Sequence, residues 1–153
     1  MRERFYLVEG IYTVLRNRCQ RIKLALEKIG KSGVKTTEIF FNAEIELKES
    51  FIEILTDIKE HYGINIAAIH PTMSLAEPFM IFSEYERRLH ESIYKFARYS
   101  EIAAALGAKY IILHGDKPHG KLSDEEYCDR FMLLNRETRK NNVTVLQENV
   151  ANF

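Results

Sequence analysis

Apolar positions along this chain follow two alternating rhythms. Steps of four and three at Leu15, Cys19, Ile22, Leu26 and Ile29 lay a stripe along one helix, whose other side carries Arg16, Arg18, Arg21, Lys23 and Lys28; Gly30 and Gly33 close it. The same rhythm returns at Phe51, Leu55, Ile58 and Tyr62, then at Tyr85, Leu89, Ile93, Phe96, Tyr99, Ala103 and Leu106, and again at Tyr127, Phe131 and Leu134, a helix ending near Asn141-Asn142. Between these helices lie short apolar runs of strand length. Thr36–Phe41 is β-branched and aromatic and ends at Asn42; Ile64–Ile69 delivers His70; Lys109–Leu113 delivers His114; Val143–Gln147 delivers Glu148. A further run, Phe5–Val8, reads as a strand ahead of them all. Each of the last three runs follows a helix-stopping Gly63, Gly107 or Asn142. Strand and helix alternate throughout, which predicts an α/β fold with a parallel sheet and right-handed crossovers in a single domain over residues 1–153.

Two helix starts carry a Ser with a Glu three residues later: Ser83 to Glu86 and Ser123 to Glu126. Both read as capping boxes, the second with Leu122 and Tyr127 placed as a hydrophobic staple. The connection from Pro71 to Phe82 is long and apolar. It fits either a lid or substrate wall using Phe79, Met80 and Phe82, or a loop packing its own small cluster.

Composition narrows the function classes. With 46% hydrophobic and 29% charged residues the chain can build a core, and 22 basic against 22 acidic residues give no net charge. Neither the balance nor any basic stripe near the strand tips advertises a nucleic-acid partner. No apolar run approaches the roughly 20 residues of a membrane span, and Met1-Arg2-Glu3-Arg4-Phe5 lacks the apolar core of a secretory signal, so the sequence reads as cytoplasmic. Cys19 and Cys128 lie far apart within helical patterns, which reads as two buried or half-buried free thiols rather than a disulfide or a metal pair. His61 and His90 fall on helices as surface residues.

The strand tips carry the candidate chemistry. In parallel α/β architectures the active site lies at the carboxyl ends of the strands. His70, His114 and Glu148 bring two imidazoles and a carboxylate to that end, a donor set for zinc or a similar divalent ion, with Glu148 also able to act as a base. Beyond the tips, Lys117 and His119 sit in the polar loop Gly115–Lys121 where they can meet an anionic substrate or simply be solvated, and Asn149 follows Glu148 as a substrate contact.

Leu106-Gly107-Ala108 through His114-Gly115, preceded by Ile69-His70-Pro71 and followed by Gln147-Glu148-Asn149, resembles the xylose isomerase-like TIM barrels, which include sugar-phosphate isomerases and epimerases and the AP endonuclease family 2 enzymes. The resemblance implies a parallel (β/α) barrel of TIM type, truncated after about strand five, since a complete barrel takes about 250 residues. It implies Glu148 as the strand-five metal ligand and part of the proton-transfer apparatus of the isomerases, and His70 and His114 as the histidines that join it in holding zinc in the endonuclease branch. The expected activity is metal-dependent isomerisation or epimerisation of a small sugar, with Zn, Mn or Mg as cofactor. A zinc phosphodiesterase acting on abasic DNA, and a truncated barrel without catalysis, are the alternative expectations. An open strand-five edge invites self-association.

Overall fold

Four parallel strands, in the order in which they occur along the chain, form the sheet of a computed structural model that describes residues 20–71, 76–116 and 121–148. They are β1 (Thr36–Phe40), β2 (Asn65–His70), β3 (Tyr110–Leu113) and β4 (Thr144–Gln147). The helices are α1 (Gln20–Lys31), α2 (Glu49–Tyr62), a single turn α3 (Glu77–Met80), the long α4 (Glu86–Leu106) and α5 (Asp124–Thr138). The expected strand Phe5–Val8, Cys19 and the beginning of the first helical stripe lie outside the described residues.

The alternation of apolar stripe and apolar run builds this directly. Ile22, Leu26, Leu55, Leu89, Phe96, Tyr99, Ala103, Leu106 and Leu134 are buried, as the helical stripes require. They cover one face of the sheet, where Ile39, Ile69, Ile111, Leu113 and Val145 are all buried. Burying each such aliphatic side chain contributes about 1.5–3 kcal/mol against leaving it in water. Neighbouring helices pack in sequence, α1 on α2, α2 on α4 and α4 on α5, as in a sheet wound in one direction. Gly63 (φ 62°), Gly107 (φ 76°) and Asn142 (φ 59°) each take the left-handed conformation that ends a helix and turns the chain into β2, β3 and β4.

The opposite face is only half covered: Phe40 and Ile112 are partly buried, Tyr110 and Leu146 exposed. A register shift between Thr37 and Glu38 sets Glu38 beside Ala68 and Phe40 beside His70. At the far edge, Val145 points its N–H and C=O away from β3. There the buried Asn135 of α5 takes both: Oδ1 accepts from Val145 N at 2.9 Å and Nδ2 donates to Val145 O at 3.3 Å. A side-chain amide thus caps the edge strand where another strand could pair.

Three expectations need correction. Ser123 and Glu126 form the predicted capping box, but Ser83 and Glu86 do not: α4 begins with Tyr85 as its cap, and Ser83 Oγ accepts from Tyr85 N instead. The cause is Arg130, buried on α5, whose guanidinium donates to Ile81 O and Ser83 O and pairs with Glu86 at 3.1 Å, drawing that carboxylate off the cap. Phe82 is no part of a substrate wall. It is buried and stacks on Tyr127, ring centroids 4.5 Å apart, while Phe79 is exposed and Met80 packs against the core. Cys128 is free as expected but exposed, because the α5 positions facing inward are Arg130, Leu134, Asn135 and Thr138. His61 and His90 are exposed, as their helical positions suggested. No helix among the described residues is long and apolar enough to cross a membrane.

Candidate metal centre

His70 is the last residue of β2, His114 follows β3 and Glu148 follows β4. Their ligand atoms lie within 4.8 Å of one another. Because the strands are parallel and in sequential order, three consecutive tips end side by side.

Each imidazole has its own support. His70 is 4% exposed; its ring stacks on Phe40 at 3.6 Å between centroids, and Nε2 lies 2.9 Å from Glu38 Oε2. That hydrogen bond holds the Glu38 carboxyl below the usual carboxylate range, so Glu38 accepts and Nε2 donates. The lone pair of a neutral His70 is then on Nδ1, a buried atom with no hydrogen-bond partner among the described residues. His114, its ring centroid 5.7 Å from that of His70, sits between two carboxylates: Nε2 is 3.4 Å from Glu148 Oε2 and Nδ1 is 3.7 Å from Glu77 Oε1. The Glu77 carboxylate beside it raises the His114 pKa against the opposing effect of burial, with Glu148 adding to the rise.

The donor set fits a divalent ion. Two ligands at the ordinary 2.0–2.1 Å from a tetrahedral zinc stand about 3.4 Å apart, the separation found between His114 Nε2 and Glu148 Oε2. Glu148, with half of its side chain exposed, has the freedom to close the remaining distance to His70. A carboxylate on Nε2 of His70 is the outer partner that orients a metal-binding imidazole and sets its tautomer.

Glu77 is a site residue that the pattern of strand tips does not bring out. It is fully buried on α3, and its Oε2 accepts from His114 N at 2.7 Å and from Gly115 N at 3.0 Å. Burial raises its pKa, opposed by His114 and by the two amides. Gly115 has φ 91°, and a Cβ there would stand 2.7 Å from the Tyr127 hydroxyl oxygen. Only glycine lets the chain leave β3 against that ring. The Tyr127 hydroxyl is itself buried without a hydrogen-bond partner among the described residues, and burial pushes its pKa up to about 12, so it stays protonated. Of the residues expected to meet substrate, Lys117, His119 and Asn149 lie outside the described residues. A cavity of about 530 Å³ between α2 and α4 is lined by Glu49, Glu53, Asp57, Arg98 and Glu101 among others and includes no strand-tip residue.

Solved structures share this fold. A sugar phosphate isomerase/epimerase from Parabacteroides distasonis superposes with a TM-score of 0.64 at 19% identity, over 89% of this chain and 48% of that one. A D-tagatose 3-epimerase-like protein does so with a TM-score of 0.64 at 22% identity (83% and 48%), and an AP endonuclease, family 2, from Brucella melitensis with 0.60 at 12% (82% and 48%). The four-stranded sheet and its helices match part of a TIM-barrel fold, as they do in a xylose isomerase-like TIM barrel fusion protein (TM-score 0.66, 19% identity), and the chain spans about half the length of the first three structures. No protein-family model and no curated protein matches the sequence.

Proposed function

We propose that this chain holds a divalent metal ion on His70, His114 and Glu148 and contributes that centre to the isomerisation or epimerisation of a small sugar or sugar phosphate. The observation that carries the reading is the meeting of two imidazoles and a carboxylate from three consecutive strand tips within 4.8 Å. A bound ion supplies Lewis-acid polarisation of a substrate carbonyl. The protein residues do the rest. Glu148 is half exposed at the open side of the site, so its carboxylate can take a proton from the carbon next to that carbonyl and return it. His70 and His114 are held on strand ends, which fixes their positions. The half-covered sheet face bearing Phe40, Ile112 and Leu146 offers an apolar floor for a sugar's carbon skeleton. Lys117, His119 and Asn149, which follow two of the tips, are assigned to the substrate's hydroxyl and phosphate oxygens.

The paired histidines also support a second reading, a zinc phosphodiesterase acting on abasic DNA. It needs a basic surface to gather phosphates, and the zero net charge favours the sugar. The test is to load the chain with zinc, manganese or magnesium and follow aldose–ketose interconversion and epimerisation across a panel of sugars and sugar phosphates, beside cleavage of an abasic-site duplex. Turnover of a sugar that is lost in Glu148→Gln is the expected result. Cleavage of the duplex without sugar turnover would overturn it in favour of the phosphodiesterase, and inactivity in both assays with metal bound would leave a non-catalytic chain.

A further inference from the structure

Glu77 does more than its two backbone hydrogen bonds require. Its Oε2 already satisfies the amides of His114 and Gly115, yet Oε1 of the same buried carboxylate has no hydrogen-bond partner among the described residues and faces His114 Nδ1 across 3.7 Å. His114 Nδ1 is likewise buried and without a hydrogen-bond partner among those residues. Two complementary buried polar atoms left unpaired are costly, and a small rotation of the imidazole satisfies both at once. The other ring nitrogen, Nε2, is the one that faces Glu148.

We infer that Glu77 is a positioning residue which accepts the Nδ1 proton of His114 and so fixes the tautomer whose Nε2 lone pair points to Glu148 and to the site of the ion. The inference deepens the metal reading and rests on it for its consequence, though not for its geometry. One carboxylate then sets three things together: the path of the chain as it leaves β3, the rotation of the ring and the nitrogen that carries the proton. Strand β2 achieves the same for His70 through Glu38, with the ring nitrogens in the reverse assignment. Both histidines are thereby left with a single free lone pair each.

Glu77→Gln separates anchoring from tautomer selection. A glutamine oxygen can still accept from both amides, whereas its NH₂ takes the place of Oε1 and donates toward Nδ1. The ring must then carry its proton on Nε2, where the lone pair was needed. The experiment uses the full chain with 15N-labelled histidine, metal-free and at a pH above the titration of His114, and reads the tautomer from long-range 1H–15N correlations; zinc chloride alone is then titrated calorimetrically into wild type and variant. The expected result is Nδ1–H for His114 in wild type, Nε2–H in the variant, a similar melting temperature, and zinc affinity lowered about 10–100-fold. An Nε2–H tautomer in wild type overturns the inference, as does an unchanged tautomer or unchanged zinc affinity in the variant. If the variant does not fold, the wild-type spectrum alone decides. Absence of zinc binding in wild type would strike the metal reading, while the spectra would still judge Glu77.

Discussion

Two strand exits in this molecule use the same device at very different range. After β1, the buried Glu46 accepts from the amides of Asn42 and Ala43 through one oxygen, at 2.6 and 3.1 Å. After β3, Glu77 accepts from His114 and Gly115 through one oxygen, at 2.7 and 3.0 Å. Glu46 reaches back four residues, so its role is local: it closes a turn. Glu77 reaches across 37 positions and keeps its second oxygen beside an imidazole. The same carboxylate chemistry thus builds a plain turn in one place and a constrained histidine in the other, and the difference lies in what stands next to the spare oxygen.

Removing each carboxylate should separate the two. Glu77→Ala deprives two amides at a buried strand exit of their acceptor, and a loss of about 2–3 kcal/mol in urea unfolding is expected, with weaker zinc binding alongside. A fully stable variant that binds zinc like wild type would erase the distinction.

Acidification tests the same exit without a mutation. A zinc ion held by His114 would have to displace its proton, and the Glu77 carboxylate raises the His114 pKa above its ordinary value near 6.5. Zinc affinity should therefore fall by up to about tenfold per pH unit, beginning at a pH above 6.5. Metal-free stability should move the other way. The contribution of protonated His114 beside Glu77 is fully present below about 6.5 and is lost as pH rises through the raised folded-state value. Calorimetric titrations and urea curves across that window check both signs; a zinc affinity flat through it would contradict the assignment of His114.

The smallest effect is expected at β1. In Glu46→Ala the amide of exposed Asn42 can turn to water, so about 1 kcal/mol of stability is lost and zinc binding is untouched. A large zinc defect there would mean that the β1 exit also shapes the site.

How far the sequence speaks follows the same division by range. The strands at Ile64–Ile69, Lys109–Leu113 and Val143–Gln147 could be read because their signals are local: a left-handed stop, an apolar run and a polar tip within about nine residues. From those tips, parallel order alone brings His70, His114 and Glu148 together. Their supports could not be read. Glu38 meets His70 over 32 positions and Arg130 meets Glu86 over 44, distances at which a lone charged residue in a strand or helix looks like any solvated one. The two Ser-x-x-Glu motifs make the point within one chain. Ser123 caps its helix, with Glu126 reaching back to its amide, while Ser83 does not, and there Arg130 arrives from another helix to pair with Glu86. A signal for Glu77 did exist: a carboxylate inside the apolar segment Ser74–Phe82 has to be paired or hydrogen-bonded once that segment folds inward.

The central claim is that three strand tips form a metal centre within this chain. Elemental analysis of the purified protein after equilibration with zinc and removal of free ion, beside His114→Ala, tests it most directly. One equivalent of zinc retained by wild type and lost from a folded His114→Ala variant is the predicted result; no retained zinc in wild type, or equal retention in both, would contradict it.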